Sequence, residues 1–139
     1  MARLHWLAKS EPSAYAWEQL VSDRSTRWDG VRNHQARNNL AAMQKGDLVL
    51  FYHSGESREI VGVMRVARAA YPDPKGDDPR WVAVDVEAVK PLARPVSLAA
   101  IKADTALRGI ALVKQSRLSV MPLEKDQFER ILALAKTRL

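Results

Sequence analysis

The chain of 139 residues contains no cysteine. This absence excludes disulfide bonds, a thiol nucleophile, iron–sulfur ligation and every zinc site that uses cysteine. The remaining soft metal ligands are His5, His34 and His53, and no two of them have the spacing of one helical turn or of alternate strand positions. We therefore predict no metal site and no cofactor.

Long apolar runs are also missing. Stretches such as residues 48–52 and 60–64 are far shorter than the roughly 20 residues that a membrane-spanning helix requires. The N-terminal segment has Arg3 and Lys9 around a brief apolar stretch and lacks a small-residue cleavage site. We expect no signal peptide, no membrane contact and a cytoplasmic location.

The sequence lacks the common catalytic and nucleotide-binding motifs. It contains no G-x-G-x-x-G, no G-x-x-x-x-G-K-[ST], no H-E-x-x-H and no G-x-S-x-G. Paired carboxylates occur at Asp77 with Asp78 and at Asp85 with Glu87, but general acid and base chemistry also requires a cleft and a partner. These pairs are interpreted as parts of a solvated surface.

The composition is that of one soluble globular domain, predicted over residues 1–139, with 47% hydrophobic and 27% charged residues. The 22 Lys and Arg exceed the 16 Asp and Glu, which gives a net charge of +6. Residues 24–45 contain five basic residues against Asp29 alone, and residues 105–123 contain no acidic residue. A solvated surface and a nucleic-acid partner explain this excess equally well.

Apolar periodicity predicts an α+β fold in the order β-α-α-β-β-β-α-β-α, built on a small, strongly curved antiparallel sheet. Residues 23–33 are predicted to form a loop, and Gly62 a bulge or close backbone approach. Ser13 and Ser97 are candidate helix caps. Strands are expected at residues 3–9, 47–53, 59–69 and 81–89, short extended structure at 111–120, and helices at 14–21, 34–43, 97–103 and 123–136.

The four tryptophans occupy different sequence environments. Trp6 and Trp81 lie on predicted strands, and we expect both in the core. Trp17 lies on a predicted helix, and we expect it in the core or as a hydrophobic staple. Trp28 lies in the predicted loop beside an Asp-Gly pair, where no apolar periodicity requires an indole. A binding platform and a lid over the core are both open there. We favour the platform.

Amide side chains follow Trp28 closely. Asn33, Gln35, Asn38 and Asn39 each supply a donor and an acceptor, the groups that read the edge of a base. The alternative is that Asn33 caps the helix beginning near His34 and that the other amides face solvent. Sequence alone leaves both open.

Five ordered segments resemble the EVE domain family, PUA-like proteins related to the YTH readers. They are residues 6–12 (WLAKSEP), 28–38 (WDGVRNHQARN), 46–54 (GDLVLFYHS), 71–73 (YPD) and 115–122 (QSRLSVMP). Together they are distributed over almost the whole chain. His34 stands where much of the family has tyrosine, a difference that bears on ligand preference if this side chain touches the ligand.

The resemblance implies a PUA-like fold, a small curved mixed or antiparallel β-barrel with short flanking helices. It also implies a non-catalytic module that recognises a modified nucleobase in DNA or RNA through an aromatic and polar pocket. The ligand-binding residues implied by similarity are Lys9, Ser10, Trp28, Asn33, Arg37, Ser116 and Arg117. We expect the Ser10 hydroxyl to be buried and to face the pocket.

Two other functions remain open. A nucleic-acid-processing enzyme could use Asp29 or Glu11 in the same pocket, and a small-molecule or protein-interaction domain could use the barrel without reading a base. We expect a monomer whose partner is nucleic acid. The choice between DNA and RNA, and the modification read, depend on pocket volume and on a 2′-OH contact.

Overall fold

The computed structural model describes residues 4–139, which form six strands and five helices. Arg3, the first residue of the first predicted strand, lies outside the described residues. None of the five helices within residues 4–139 has the length and apolar character that crossing a membrane requires. In chain order the elements are β1 (His5–Ser10), α1 (Trp17–Asp23), β2 (Ser25–Trp28), α2 (His34–Ala42), β3 (Leu48–His53), β4 (Glu59–Pro72), β5 (Val82–Ser97), α3 (Leu98–Ala103), α4 (Ala111–Lys114), β6 (Val120–Leu123) and α5 (Lys125–Leu134).

The strands form one mixed sheet in the order β2-β5-β4-β3-β1-β6. β1 and β3 are parallel, and the other four pairings are antiparallel. Register shifts interrupt the pairing of β4 with both β3 and β5, and such bulges bend and twist a sheet. The predicted α+β fold with a small curved sheet is confirmed, and the sheet remains open because β2 and β6 do not pair within the described residues.

The central strand β3 explains where the core lies. All six of its residues are buried, because it lies between β4 and β1 and both of its faces are covered. Asp47 is the residue before β3, and its buried carboxylate accepts a hydrogen bond from Trp6 Nε1 at 3.0 Å. Asp47 also accepts from the amide of Leu4 at 3.1 Å and from that of Gln44 at 2.9 Å. These bonds fix the entry of β3 against β1.

Gly62 allows the close approach that was predicted for it. The register of β4 against β5 shifts between Ile60 and Gly62. A Cβ atom on Gly62 would lie 2.5 Å from ring atoms of Trp17, the first residue of α1. The indole of Trp17 therefore packs directly on the backbone of β4, in the core as expected.

The prediction of a loop over residues 23–33 is wrong for β2. This edge strand pairs antiparallel with β5, with Thr26 opposite Val86 and Trp28 opposite Val84. Alternate positions of β2 are exposed, and the others are only half-buried. A short polar edge strand of this kind does not need apolar periodicity, because its hydrogen bonds to β5 hold it in place.

The predicted helix start at residue 14, with Ser13 as its cap, is also wrong. The amides of Ala14 and Tyr15 both donate to the carbonyl oxygen of Glu11 at 2.9 Å, which forms a turn. The Glu11 carboxylate accepts from the Ser13 amide at 3.1 Å. The helix begins only at Trp17, where Ala16 is the N-cap and makes no side-chain capping bond.

Two further segments differ from the prediction. Extended structure was predicted at residues 111–120, but residues 111–114 form the short helix α4. The strand β6 begins only at Val120 and ends at Leu123. β5 continues to Ser97 because its pairing with β4 extends to Glu59 opposite Ser97. Ser97 does cap α3, as predicted, since its side chain accepts from the Ala100 amide at 3.0 Å.

Trp81 does not lie in the core, contrary to expectation. It precedes β5 and is half-buried. Its indole stacks on the imidazole of His34, with ring centroids 5.0 Å apart and an interplanar angle of 29°. The strand that was predicted to carry Trp81 inward begins one residue after it.

Candidate functional site

A cavity of about 670 Å³ lies at the open side of the sheet. The end of β1 and Ser119, just before β6, form one wall, and β2 with the loop after it forms the other. The strands at the two edges of the sheet, β2 and β6, do not pair with each other within residues 4–139. The lining consists of residues 9–11, 14–15, 26–33, 75 and 119.

Trp28, the last residue of β2, lines this cavity and is half-buried. Its indole also packs edge-to-face on Phe51, with ring centroids 5.5 Å apart and an interplanar angle of 88°. Pairing with Val84 of β5 holds the backbone of Trp28 in place. The sequence left a binding platform and a lid over the core open for Trp28. In the structure its side chain both contacts the core and forms part of the cavity wall.

Ser10 lines the same cavity as Trp28, as predicted, but it is only half-buried where a buried hydroxyl was expected. Its hydroxyl donates to the carbonyl oxygen of Tyr15. This bond connects the end of β1 with the turn that precedes α1. The hydroxyl oxygen keeps acceptor capacity for a ligand.

Lys9 presents an ammonium group at the edge of the cavity. Its Nζ donates to the carbonyl oxygen of Ser116 at 2.9 Å and lies 5.9 Å from the centroid of the Tyr52 ring. Burial lowers the pKa of Lys9 below its ordinary value. Within residues 4–139 no carboxylate lies at ion-pair distance from it. A partly desolvated cation without a carboxylate favours an electron-rich ligand group.

Asp73 does not line the cavity, but its hydrogen bonds hold the loops of the opposite wall in place. Its buried carboxylate accepts from the amides of Gly30 and Lys75, each at 2.8 Å, and from Arg32 Nη1 at 3.0 Å. Burial raises the pKa of Asp73, but the two amide bonds and the Arg32 guanidinium more than offset it and hold the pKa below its usual value. The ionised carboxylate thus joins the loop after β2 to the loop after β4.

Asp29 lies between two cations in the cavity wall. Its carboxylate contacts Arg27 Nε at 3.0 Å and Lys75 Nζ at 3.3 Å. Together with the Arg32–Asp73 pair, these contacts compensate the positive charge on the β2 side of the cavity. The carboxylate of Asp29 is therefore already engaged.

Asn33 has the capping role that was one of the two alternatives. Its Oδ1 accepts from the Ala36 amide at 2.9 Å at the start of α2. It also lines both the main cavity and a neighbouring concavity of about 300 Å³. Asn39 is not free either, since its Nδ2 donates to the Val120 carbonyl at 2.7 Å.

The structure separates the remaining predicted site residues from the main cavity. Ser116 and Arg117 line the neighbouring concavity, which meets the main one at Asn33 and at the contact between Lys9 and Ser116. Arg37 is half-buried on α2 and lines neither, and its Nε is buried without a hydrogen-bond partner within residues 4–139. The seven predicted residues thus occupy one cavity, its neighbour and one position outside both.

His34, the residue that departs from the family pattern, also lies outside both linings. It is exposed at the start of α2 and stacks on Trp81. The Arg32 guanidinium carbon lies 5.6 Å from the centroid of the same Trp81 ring. Arg32 therefore connects the His34–Trp81 stack to the cavity wall.

Several wall residues were not singled out from the sequence. Tyr15, Thr26, Arg32 and Lys75 line the cavity, and they come from a turn, an edge strand and two loops. These segments meet only in the folded chain. Two signals were available in the sequence. Arg32 lies within the segment 28–38 that carries the resemblance, and the aspartate of the Tyr-Pro-Asp motif at residues 71–73 holds the β2 loop in place.

The arrangement suits a flat, polar ligand. It combines an aromatic face with hydroxyl, amide and ammonium groups, and four of its wall residues are cationic. No histidine lines the cavity, and within residues 4–139 no group of three or more His, Asp or Glu side chains is placed to hold a metal ion. Such a pocket can stack a ring and bond to its edge.

Comparisons with known proteins find relatives that are similar in sequence and in overall fold. The model of the EVE domain matches residues 4–134. Human thymocyte nuclear protein 1 is 35% identical, over 94% of this chain and 73% of its own. The NMR structure of Rpa0253 from Rhodopseudomonas palustris has a TM-score of 0.92 and 44% identity, covering 96% of this chain and 93% of its own. The crystal structure of human THYN1 protein in complex with 5-methylcytosine-containing DNA has a TM-score of 0.88 and 35% identity, covering 98% and 99%.

Proposed function

Because this chain belongs to the EVE domain family, we propose that it is a non-catalytic module that binds a modified nucleobase of DNA or RNA in the cavity beside Trp28. The observation that carries the proposal is the cavity of about 670 Å³ with one aromatic wall and polar groups opposite. A similar chain, human THYN1 protein, has been crystallised with DNA containing 5-methylcytosine.

Four of the wall residues have distinct roles in this proposal. The base stacks on the exposed face of Trp28. Asn33 uses Oδ1 as a helix cap, so its Nδ2 is left to donate to an acceptor on the edge of the base. Lys9 supplies a second donor, and Ser10 an acceptor. Ser116, Arg117 and Arg37 lie outside this cavity and do not touch the base.

The energetics favour modest affinity. Extruding a base from a duplex costs a few kcal/mol. Stacking on an aromatic side chain returns roughly 1–3 kcal/mol. The cations around the cavity add an attraction to phosphate that does not depend on sequence. A base that is mismatched, damaged or already unpaired is extruded at lower cost.

The test is a fluorescence anisotropy titration with labelled oligonucleotides that differ at one central base, cytosine or 5-methylcytosine. DNA and RNA versions are compared, each single-stranded and in a duplex. We expect severalfold tighter binding of the modified oligonucleotide in at least one of these forms. Equal affinity for both bases in every form would contradict modified-base recognition and favour an interaction domain that does not read bases.

A catalytic role for Asp29 or Glu11 is the competing hypothesis. The carboxylate of Asp29 is bound by Arg27 and Lys75, and that of Glu11 accepts from the Ser13 amide, so both have local structural partners. We expect no product when the protein is incubated with labelled DNA or RNA and Mg²⁺. Cleavage or base release that disappears in Asp29→Asn or Glu11→Gln would replace the binding proposal.

A further inference from the structure

The cations around the two concavities fall into two groups. On the β2 side, Arg27 and Lys75 contact Asp29, and Arg32 contacts Asp73. On the other side, Lys9, Lys114 and Arg117 have no carboxylate at ion-pair distance within residues 4–139. Each of the three cations on the β2 side therefore contacts a carboxylate, and within the described residues the three on the other side do not.

The three uncompensated cations form a continuous path. Lys114 and Arg117 line the concavity of about 300 Å³, and no acidic residue lines it. Lys9 lines the main cavity, and its Nζ donates to the carbonyl of Ser116 in the wall of the smaller concavity. Asn33 lines both. A strand whose base enters the main cavity can continue past Lys9 and Asn33 into the smaller concavity, where no acidic residue lines the wall.

The backbone that carries Lys114 and Arg117 is held in place by the core. Leu112 and Leu118 on either side are buried, at 3% and 4% exposure. The Gln115 amide donates to the Ala111 carbonyl at 2.7 Å, and the Leu118 amide donates to the Gln115 carbonyl at 3.0 Å. The two cations are thus exposed on a fixed turn, so little backbone ordering is needed when they bind an anion.

We propose that the concavity lined by residues 33, 35 and 114–118 binds the phosphate backbone next to the extruded nucleotide, with Lys114 and Arg117 contacting phosphates. The strand then leaves the base cavity on the Lys9 side and not across the Arg27–Asp29–Lys75 wall. A cation bound to a carboxylate must break that pair to hold a phosphate, and Asp29 itself repels one. The inference rests on the proposed function, because it requires a nucleic-acid strand at the cavity.

The test compares salt dependence in two matched double variants. Lys114→Gln with Arg117→Gln removes the proposed phosphate contacts. Lys102→Gln with Arg94→Gln removes the same charges from residues that line neither concavity and are exposed. Affinity for the labelled 5-methylcytosine and cytosine oligonucleotides is measured at a series of salt concentrations for both variants and for the unaltered protein.

We expect the first variant to reduce the steepness of log affinity against log salt by about 1.8 on duplex DNA, or about 1.4 on a single strand, for two lost contacts. The control keeps the steepness of the unaltered protein, and the ratio of affinities for the two bases stays the same in all three. If the first variant has the same steepness as the control, the phosphate path is wrong although the base pocket stands. If the unaltered protein does not bind either oligonucleotide, the proposed function itself fails.

Discussion

Trp28 shows how one residue can serve both the core and the cavity. Its indole and the Phe51 ring pack edge-to-face, while the Trp28 side chain also lines the cavity wall. An indole buried on all sides costs roughly 3–5 kcal/mol of stability when it is truncated to alanine. Truncating a half-buried indole costs less, and the exposed part of Trp28 remains available to a ligand.

Replacing Trp28 by alanine is therefore expected to affect binding more than folding. Loss of a stacked base weakens affinity by about 1–3 kcal/mol, roughly 5-fold to 150-fold. The free energy of unfolding should fall by less than the roughly 3–5 kcal/mol of a fully buried Trp. Both are measured on the same protein, by oligonucleotide titration and by urea unfolding.

Two variants complete this test. Trp28→Phe keeps an aromatic face and should retain most of the affinity. Trp6→Phe removes a buried indole that donates to Asp47, and it should lower stability while leaving the affinity of the folded protein unchanged. Unchanged affinity in Trp28→Ala would exclude Trp28 as the platform.

The charge of the Asp73 carboxylate stabilises the two loops that it connects. Because its folded-state pKa lies below the usual 3.8, the ionised carboxylate stabilises the fold above that pH, and the contribution is lost as the pH falls through the lower folded-state pKa. In Asp73→Asn this acid sensitivity is absent. The variant should lose about 1.5–3 kcal/mol at neutral pH, the range for hydrogen bonds to a charged group.

The measurement is urea unfolding at several pH values from about 7 to about 3. The difference in stability between the unaltered protein and Asp73→Asn should shrink toward the acid end. Asp77→Asn is the control, since Asp77 lies in the same loop without a hydrogen bond or ion pair within residues 4–139. A difference that stays constant with pH would show that the charge of Asp73 is not what stabilises the loops.

At the scale of elements, the cavity depends on how α1 and β2 are placed against the long strands. α1 begins with Trp17, whose ring lies against the backbone of Gly62 in β4. β2 follows one residue after α1 ends and pairs with β5. The packing of α1 on β4 thus also sets where Trp28 and its loop lie.

Gly62→Ala should disturb this packing. The new Cβ would lie 2.5 Å from rigid indole atoms, so the helix or the strand must move. We expect a loss of about 1–3 kcal/mol in the free energy of unfolding, typical of overpacking. Gly109→Ala is the matched control because its Cβ would meet no atom within 4 Å. Equal stability of the two variants in denaturant unfolding would show that the approach of α1 to β4 is not tight.

At the scale of the whole molecule, the net charge of +6 is less informative than its distribution. The ion pairs on the β2 side compensate the basic excess of residues 24–45 in part, through Asp29 and Asp73. Residues 105–123 have no acidic residue of their own. The molecule therefore presents an uncompensated basic surface beside the cavity.

Binding of any nucleic acid should weaken steeply with salt. Each phosphate neutralised contributes about 0.9 to the slope of log affinity against log salt on duplex DNA. Titrations between about 50 and 200 mM salt, with the same oligonucleotide and protein, measure this slope. A flat dependence would remove nucleic acid as the partner.

Much of the fold could be predicted from the sequence, because the signals that specify it are local. Apolar runs and alternation located β1, β3, β4 and the first half of β5. Asn33 and Ser97 cap their helices as side chains of their type do. The family resemblance added the fold type, and three of its five segments (residues 6–12, 28–38 and 115–122) contribute to the cavity wall. A single domain over residues 1–139, a monomeric state and a cytoplasmic location stay predictions.

Only the tertiary structure decided how the site is assembled. β2 is a strand because β5 offers it hydrogen bonds, and no property of its own polar residues requires that. Ser116 and Arg117 lie in a separate concavity, and Arg37 lies outside both. Periodicity and capping report each segment's own backbone preference, whereas the cavity arises where distant segments meet at the unpaired edges of the sheet. No local sequence pattern specifies which distant segments come together there.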